Sequence, residues 1–125
     1  MAFERTFTLH EDGAPIVKTI LSFVEHEDEP DVLTMTVYDA RKDALAGQAT
    51  WHVQSESNGF ALQISTQIIP VGICLAGCFA GVISGPLVDC LRKARSRKDV
   101  RNCIDANAAW QAVSAMTCIY GCLSL

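Results

Sequence analysis

The sequence predicts an α+β fold in which a small antiparallel β meander is followed by a helical hairpin closed by disulfides. Two observations predict it. Residues 1–67 consist of short alternating apolar segments separated by turn signals, whereas residues 68–125 are apolar over helix-length segments and hold all 6 cysteines. This concentration of cysteine in the second half is typical of a disulfide scaffold.

Five segments of the first half have the alternation or the β-branched content of strands. They are residues 2–10, 16–24, 32–38, 48–55 and 60–66. Segment 16–24 would also suit a short helix, because its apolar residues recur at helical intervals, but the preceding strand favours a strand here. Asp12-Gly13 and Ser57-Asn58-Gly59 are hairpin signals. The first half is therefore predicted to be a meander of four or five strands.

The six cysteines are spaced almost symmetrically about residue 97 or 98. They are Cys74, Cys78, Cys90, Cys103, Cys118 and Cys122. When the chain folds back at that point, the first cysteine faces the last, the second the fifth, and the third the fourth. Residues four apart share one face of a helix, so each outer pair presents two thiols to the opposite helix. We therefore predict the disulfides Cys74–Cys122, Cys78–Cys118 and Cys90–Cys103.

Residues 68–88 are uncharged and have the length of a membrane-spanning helix. Gly77, Gly81 and Gly85 recur every four residues within this segment and are predicted to form a helix-packing stripe. The stripe would let helices approach closely in a membrane, and equally in a disulfide hairpin. Residues 84–86, Ser-Gly-Pro, are expected to kink or restart the helix. Residues 106–125 form a second predicted apolar helix.

Charge is divided unequally between the two halves. Residues 1–67 carry eleven Asp and Glu against four Lys and Arg, whereas residues 68–125 carry three acids against six bases. The division indicates either that the halves attract each other or that the second half meets an anionic surface after separation. The six bases, here called the basic turn, are Arg92, Lys93, Arg95, Arg97, Lys98 and Arg101.

The basic turn has no interleaved aromatic residues, and the segments on either side of it are apolar. An anionic lipid surface is therefore the predicted partner, and nucleic acid is not. The acidic segment 25–31 lacks the glycine-containing pattern of a calcium loop and is expected to be a solvated loop.

No pattern indicates a catalytic site or a cofactor. The histidines, His10, His26 and His52, all lie in the first half, so a Cys–His nucleophile cannot be argued from the order of residues. His52 is expected on a strand face. The cysteines lie on apolar segments rather than in the polar knuckles of zinc sites, so stapling is preferred to metal binding. We predict a protein that is not an enzyme and has no cofactor.

The outer pattern, Cys74-x-x-x-Cys78 and Cys118-x-x-x-Cys122, resembles that of α-hairpinin antimicrobial peptides and of small mitochondrial intermembrane-space chaperones. Both families bridge two antiparallel helices, across a much shorter stretch than the 39 residues here, and normally lack the Cys90 and Cys103 pair. The overall plan is similar to that of halocin-like bacteriocin precursors, with a hydrophobic cysteine-rich peptide at the C-terminal end of a proprotein. The resemblance covers residues 68–125 and implies a cysteine-stapled helical antimicrobial peptide precursor.

The leading expectation is a bacteriocin-like or toxin-like precursor of two units. Residues 1–67 would be an acidic leader, carrier or neutralising pro-region, and residues 68–125 a membrane-active cationic hairpin. An immunity or export protein would be a further partner. The alternatives are a small membrane protein with two spanning helices and a soluble, non-catalytic binding or structural module.

Disulfides require an oxidising destination. Residues 1–11 have neither the basic nor the apolar region of a secretory signal. Secretion is therefore expected by a dedicated or non-classical route, unless the product stays membrane-associated or the thiols stay reduced.

Overall fold

Five antiparallel strands form one sheet in the computed structural model, which describes residues 2–27, 29–57, 59–68, 73–80 and 85–123. The strands are β1 (Ala2–Glu11), β2 (Ala14–Val24), β3 (Val32–Asp39), β4 (Ala44–Glu56) and β5 (Gly59–Ile68). Their order in the sheet is their order in the sequence. The predicted meander is confirmed, and segment 16–24 is a strand.

Tight turns set the pairing of neighbouring strands. Between β1 and β2, Asp12 has a φ of 52° and Gly13 a φ of 81°, the left-handed pair that a type I′ hairpin turn requires. Glu11 pairs with Ala14 across this turn. The β4–β5 hairpin is equally tight, since Glu56 pairs with Gly59; Asn58 lies outside the described residues. The turn signals therefore predicted both hairpins.

One face of the sheet is the core face. Phe23 of β2 pairs with Leu33 of β3, and Met35 pairs with Ala49 of β4, so these buried side chains lie on one side. Trp51 of β4 is the largest of the fully buried side chains. In β2, β3 and β4, alternation places most of the intervening residues on the opposite face, where they are half-buried.

The described part of the second half forms three helices, α1 (Ile73–Ala80), α2 (Gly85–Lys93) and α3 (Arg97–Leu123). Together α1 and α2 make one arm of the predicted hairpin, and α3 makes the other. Of the expected kink or restart at residues 84–86, Gly85 and Pro86 lie in α2, and Ser84 lies outside the described residues. On the sheet, α3 packs against β1 and β2, α2 against β5, and α1 against β4. Among the described helices, none combines the length and apolar character needed to cross a membrane.

The second arm begins at Arg97 rather than at the predicted Ala106. Ser96 Oγ accepts a hydrogen bond of 3.2 Å from the Asp99 backbone N–H, and Asp99 Oδ2 accepts one of 3.0 Å from the Arg95 backbone N–H. The Ser96 side chain thus caps the helix by pairing a backbone donor of the first turn, and Asp99 pairs the N–H of Arg95 just before the helix. The Ser-x-x-Asp pattern is a sequence signal for such a start, whereas apolar content indicates only the buried part of the helix.

One apolar core contains residues from both halves of the chain. Phe23, Met35 and Trp51 of the sheet belong to the same buried cluster as Leu91 of α2 and Met116 of α3. Burying a large apolar side chain stabilises a fold by roughly 1.5–3 kcal/mol, so the sheet and the hairpin stabilise each other. The predicted boundary at residues 67 and 68 coincides with the end of β5, but the joint at 69–72 lies outside the described residues. That the two units can be separated stays a prediction.

Candidate functional site

Disulfides cross-link the two arms of the hairpin near both ends of α3. Cys74–Cys122 and Cys78–Cys118 join α1 to α3 with Cα–Cα distances of 5.8 and 5.7 Å, and Cys90–Cys103 joins α2 to α3 at 5.8 Å. These are the three pairs that the spacing of the cysteines predicts. Cα–Cα distances of about 4.4–6.8 Å are usual for disulfides, so the bridges fit the packing of the helices.

The two outer disulfides lie side by side and bring four sulfur atoms together. Cys78 Sγ is 3.7 Å from Cys122 Sγ, to which it is not bonded. The Sγ atoms of Cys78, Cys118 and Cys122 all lie within 4.8 Å of one another. Cys78 is buried, Cys122 half-buried, and Cys118 exposed. The sulfur cluster therefore has one side in the core and one side open to solvent.

Two glycines of the predicted stripe, Gly77 and Gly85, lie away from the contact between the helices. Gly77 and Gly85 are exposed, and a methyl group placed on either would meet no atom of the described chain within 4 Å. Gly81 lies outside the described residues. Leu75 and Phe79 turn towards the core, and the helical repeat places Gly77 on the other side of the cysteine face. The approach of α1 to α3 therefore does not depend on a small residue at position 77.

The basic turn joins α2 to α3, and Arg97 reaches the segment between β2 and β3 (residues 25–31, the acidic loop). Arg97 Nε donates to Asp31 Oδ2 at 3.3 Å, and Arg97 Nη2 donates to Asp31 Oδ1 and to the His26 carbonyl oxygen. Asp31 also accepts a hydrogen bond of 3.1 Å from the His26 backbone N–H. This contact therefore joins the start of the second arm to the start of β3.

Arg101 makes a second contact of the same kind, since its Nη1 lies 3.6 Å from Glu25 Oε1. The expectation that residues 25–31 form a solvated loop is therefore wrong for Asp31 and Glu25. Asp31 is only 5% exposed, and Glu25 is half-buried. No local sequence pattern predicts these two contacts, because the paired residues are 66 or more positions apart in the chain.

The hydrogen bond to Asp31 is the main reason that the pKa of Arg97 is raised above its ordinary value. Desolvation acts in the opposite direction, and the negative charges of Asp31, Glu25 and Glu27 add to the increase. Arg97 therefore keeps its positive charge in the folded chain, and the interface joins opposite charges.

The other members of the basic turn face solvent. Arg92, Lys93, Arg95 and Lys98 are all exposed. They form a cationic patch at one end of the hairpin, beside the two arginines that the acidic loop contacts. The structure thus leaves four of the predicted lipid-binding residues exposed and pairs the other two with acids of the acidic loop, although the Arg97 side chain is still 45% exposed.

The main apolar face of α3 is turned towards the core. Its buried residues include Val100, Ile104 and Met116. On the outer surface, Trp110 of α3 is 56% exposed and Ile73 of α1 is 94% exposed. Val113 of α3 is a further large apolar residue that is exposed, at 52%, among the described residues of the hairpin.

Polar contacts hold α3 to β1 along its length. Arg5 Nε lies 3.2 Å from Asp105 Oδ1, and the Tyr120 hydroxyl donates a hydrogen bond to the Glu11 carboxylate. Arg5 also lies over the ring of Phe3, 4.9 Å from its centre. His52 lies in β4, as expected for a strand-face histidine.

No family model matches this chain, and neither the curated proteins nor the solved structures contain a significant match to it.

Proposed function

We propose that the chain is a bacteriocin-like or toxin-like precursor whose β sheet restrains a cationic, disulfide-stapled hairpin, and that the released hairpin acts on anionic membranes. The proposal rests on one observation: the sheet and its acidic loop cover part of the hairpin. The main apolar face of α3 is buried in the shared core, and the acidic loop contacts Arg97 and Arg101. Both properties that a membrane-active peptide needs, apolar surface and positive charge, are thus partly covered.

Separation from the sheet would change both properties at once. The apolar face of α3 would become free to enter a bilayer, and two arginines would rejoin the exposed cationic patch. A basic residue near an anionic membrane surface contributes about 1 kcal/mol of attraction. The disulfides would keep the arms paired, since all three lie within the hairpin. Secretion by a dedicated or non-classical route, and an immunity or export protein as partner, belong to the same proposal.

The test compares the intact oxidised chain with an oxidised peptide of residues 68–125. Both are added to dye-loaded vesicles, one set with anionic headgroups and one with neutral headgroups. We expect the peptide to release dye from anionic vesicles at concentrations at which the intact chain does not, and added salt to weaken the effect. A peptide that binds anionic vesicles without releasing dye would contradict the membrane activity. An intact chain as active as the peptide would contradict restraint by the sheet.

A soluble, non-catalytic binding or structural module is the second candidate, and the shared core favours it. Limited proteolysis between residues 66 and 72 separates the two candidates. A precursor should yield a disulfide-linked C-terminal fragment that leaves the sheet and stays folded. A module should yield two fragments that stay together under native conditions and unfold together in urea.

A further inference from the structure

We propose that Cys74, Cys78, Cys118 and Cys122 form a tetrahedral Zn²⁺ site when their two disulfides are reduced. The hairpin would then be closed by a metal ion in reducing surroundings and by disulfides in oxidising ones. The proposal does not depend on the membrane activity proposed above.

The spacing of the sulfur atoms fits such a site. Zinc–thiolate bonds are about 2.3 Å long, so neighbouring sulfurs of a tetrahedral site are about 3.8 Å apart. Cys78 Sγ and Cys122 Sγ, which belong to different disulfides, are already 3.7 Å apart. Cys118 Sγ lies within 4.8 Å of both, and Cys74 Sγ is bonded to Cys122 Sγ. Cys74 Sγ lies outside the group of three close sulfurs. After reduction the two bonded pairs have to move apart, and the Cys74 thiol has to turn towards Cys78 and Cys118.

The backbone would hold the four thiols together after reduction. Residues four apart lie on one face of a helix, so each helix offers a pair of ligands to the same point. Leu75 and Phe79 of α1, and Met116 and Ile119 of α3, are at least 96% buried in the core on either side of these cysteines. This packing does not involve the disulfides, so the two helices keep their positions relative to the sheet.

The chemistry of the ligands favours zinc over harder cations. All four ligands are sulfur, and thiolates select soft or borderline ions, whereas calcium and magnesium require oxygen ligands. Cys118 is exposed, which leaves a path for the ion to enter. Cys90 and Cys103 are at the other end of α3 and supply only two sulfurs. They serve as an internal comparison.

Electrons and protons balance in the proposed reduction of the disulfides and in the zinc binding that follows it. A dithiol reductant gives two electrons and two protons to each disulfide and is itself converted to a disulfide, so two equivalents yield four thiols. Binding of one Zn²⁺ then replaces four thiol protons, which are released to solvent, and leaves a site with a net charge of −2. Zinc affinity should therefore fall as the pH is lowered. In the oxidised chain the sulfurs are bonded to each other and cannot act as thiolate ligands.

The first experiment uses the whole unmodified chain. The protein is reduced with a dithiol, transferred to oxygen-free buffer, loaded with Zn²⁺ and treated with an alkylating reagent. We expect Cys74, Cys78, Cys118 and Cys122 to be protected at least tenfold relative to Cys90 and Cys103, as measured by mass spectrometry of peptides. Equal modification of all six cysteines, with and without Zn²⁺, would overturn the proposal.

The second experiment replaces Zn²⁺ with Co²⁺, whose visible absorption reports tetrahedral thiolate ligation. The reduced chain should bind one Co²⁺ with the spectrum of four sulfur ligands. The double variant Cys78→Ser/Cys118→Ser should lose this spectrum, while the matched variant Cys90→Ser/Cys103→Ser should keep it. The assignment would be wrong if the spectrum were lost in the Cys90→Ser/Cys103→Ser variant and kept in the Cys78→Ser/Cys118→Ser variant. It would also be wrong if the reduced chain bound no Co²⁺. The oxidised chain should bind no Co²⁺.

Discussion

Arg97 and Asp31 are 66 residues apart in the chain, yet Arg97 Nε donates a hydrogen bond of 3.3 Å to Asp31 Oδ2. Arg97 is the first residue of α3, and Asp31 immediately precedes β3. The pair therefore joins the second arm of the hairpin to the sheet at the point where the basic turn meets the acidic loop. It is one of the places in the interface where opposite charge, rather than apolar burial, holds the two halves together.

Replacing Asp31 with Asn should increase binding of the intact chain to anionic vesicles, by roughly threefold, because Arg97 would lose its charged partner and become available to lipid. An asparagine side-chain oxygen can still accept the hydrogen bond from the His26 backbone N–H, which helps to keep the loop in place. Vesicle sedimentation at low salt measures the change. Asp12→Asn is the matched control, because it removes the same charge from an exposed turn that accepts Asn at positive φ. An equal effect of both variants would mean that net charge, and not release of Arg97, controls binding.

The two outer disulfides should be strongly non-additive in their contributions to stability. Closing a loop of 40 residues, the separation of Cys78 and Cys118, removes about 4 kcal/mol of chain entropy from the unfolded state. Either outer bridge closes nearly the same loop, so we expect each single removal by Cys→Ala pairs to cost about 1–2 kcal/mol and removal of both to cost about 4 kcal/mol or more. Guanidinium unfolding without reductant measures these values. Strictly additive losses would show that local strain or packing, rather than loop closure, dominates.

Gly77→Ala should stabilise the chain by about 0.5–1 kcal/mol, because alanine restricts the unfolded chain and favours a helix. The site is exposed with open space around it. A packing role for Gly77, as the spacing predicts, would instead make the variant less stable. Thermal unfolding under oxidising conditions decides between these outcomes.

Gly59→Ala is the contrasting variant and should destabilise by about 1–3 kcal/mol. A Cβ at this position would collide with the backbone carbonyl group of Arg92 at the end of α2. Because the obstacle is backbone, it cannot move aside as a flexible side chain would. If Gly59→Ala were neutral, the packing of α2 against the β4–β5 turn would be looser than the structure shows.

Asp39 should make folding stability depend on pH in the acid range. Burial by itself raises the pKa of Asp39, but hydrogen bonds from the side chain and backbone N–H of Arg41, at 3.3 and 3.0 Å, and nearby positive charges outweigh it and lower the pKa below its ordinary value of 3.8. A lowered carboxyl pKa stabilises the folded state above the unfolded-state pKa, and this stability is lost as the pH falls through the folded-state value.

The Asp39→Asn variant tests this directly. At pH 7 it should be less stable than the unmodified chain by on the order of 1 kcal/mol, and the difference should shrink as the pH falls below 3.8. Urea unfolding at neutral pH and at pH values below 3.8 gives both differences. Asp43→Asn, an exposed carboxyl group in the same turn, controls for the loss of one negative charge. A difference between Asp39→Asn and the unmodified chain that does not change with pH would exclude the Asp39 carboxylate as its cause.

Local patterns in the sequence were sufficient to predict the strands, the β hairpins and the disulfide pairs. Alternation identified the core face of strands such as β3, and Asp12-Gly13 identified a turn whose left-handed backbone few other residue pairs adopt. The cysteine pairing followed because an antiparallel hairpin requires paired positions to have a nearly constant sum. The start of α3 was also present in the sequence as Ser96-x-x-Asp99, although apolar content alone placed it too late.

What the tertiary structure decided is where the hairpin lies and what its charges contact. Uncharged residues 68–88 have a composition that suits a membrane, a hairpin or a protein core equally well, because burial in each satisfies the same apolar side chains. Only the fold shows α3 against β1 and β2, Arg97 against Asp31, and Gly77 facing solvent rather than a helix. These relationships depend on contacts between residues far apart in the chain, and their geometry is set by the packing of the helices on the sheet, which no local periodicity encodes.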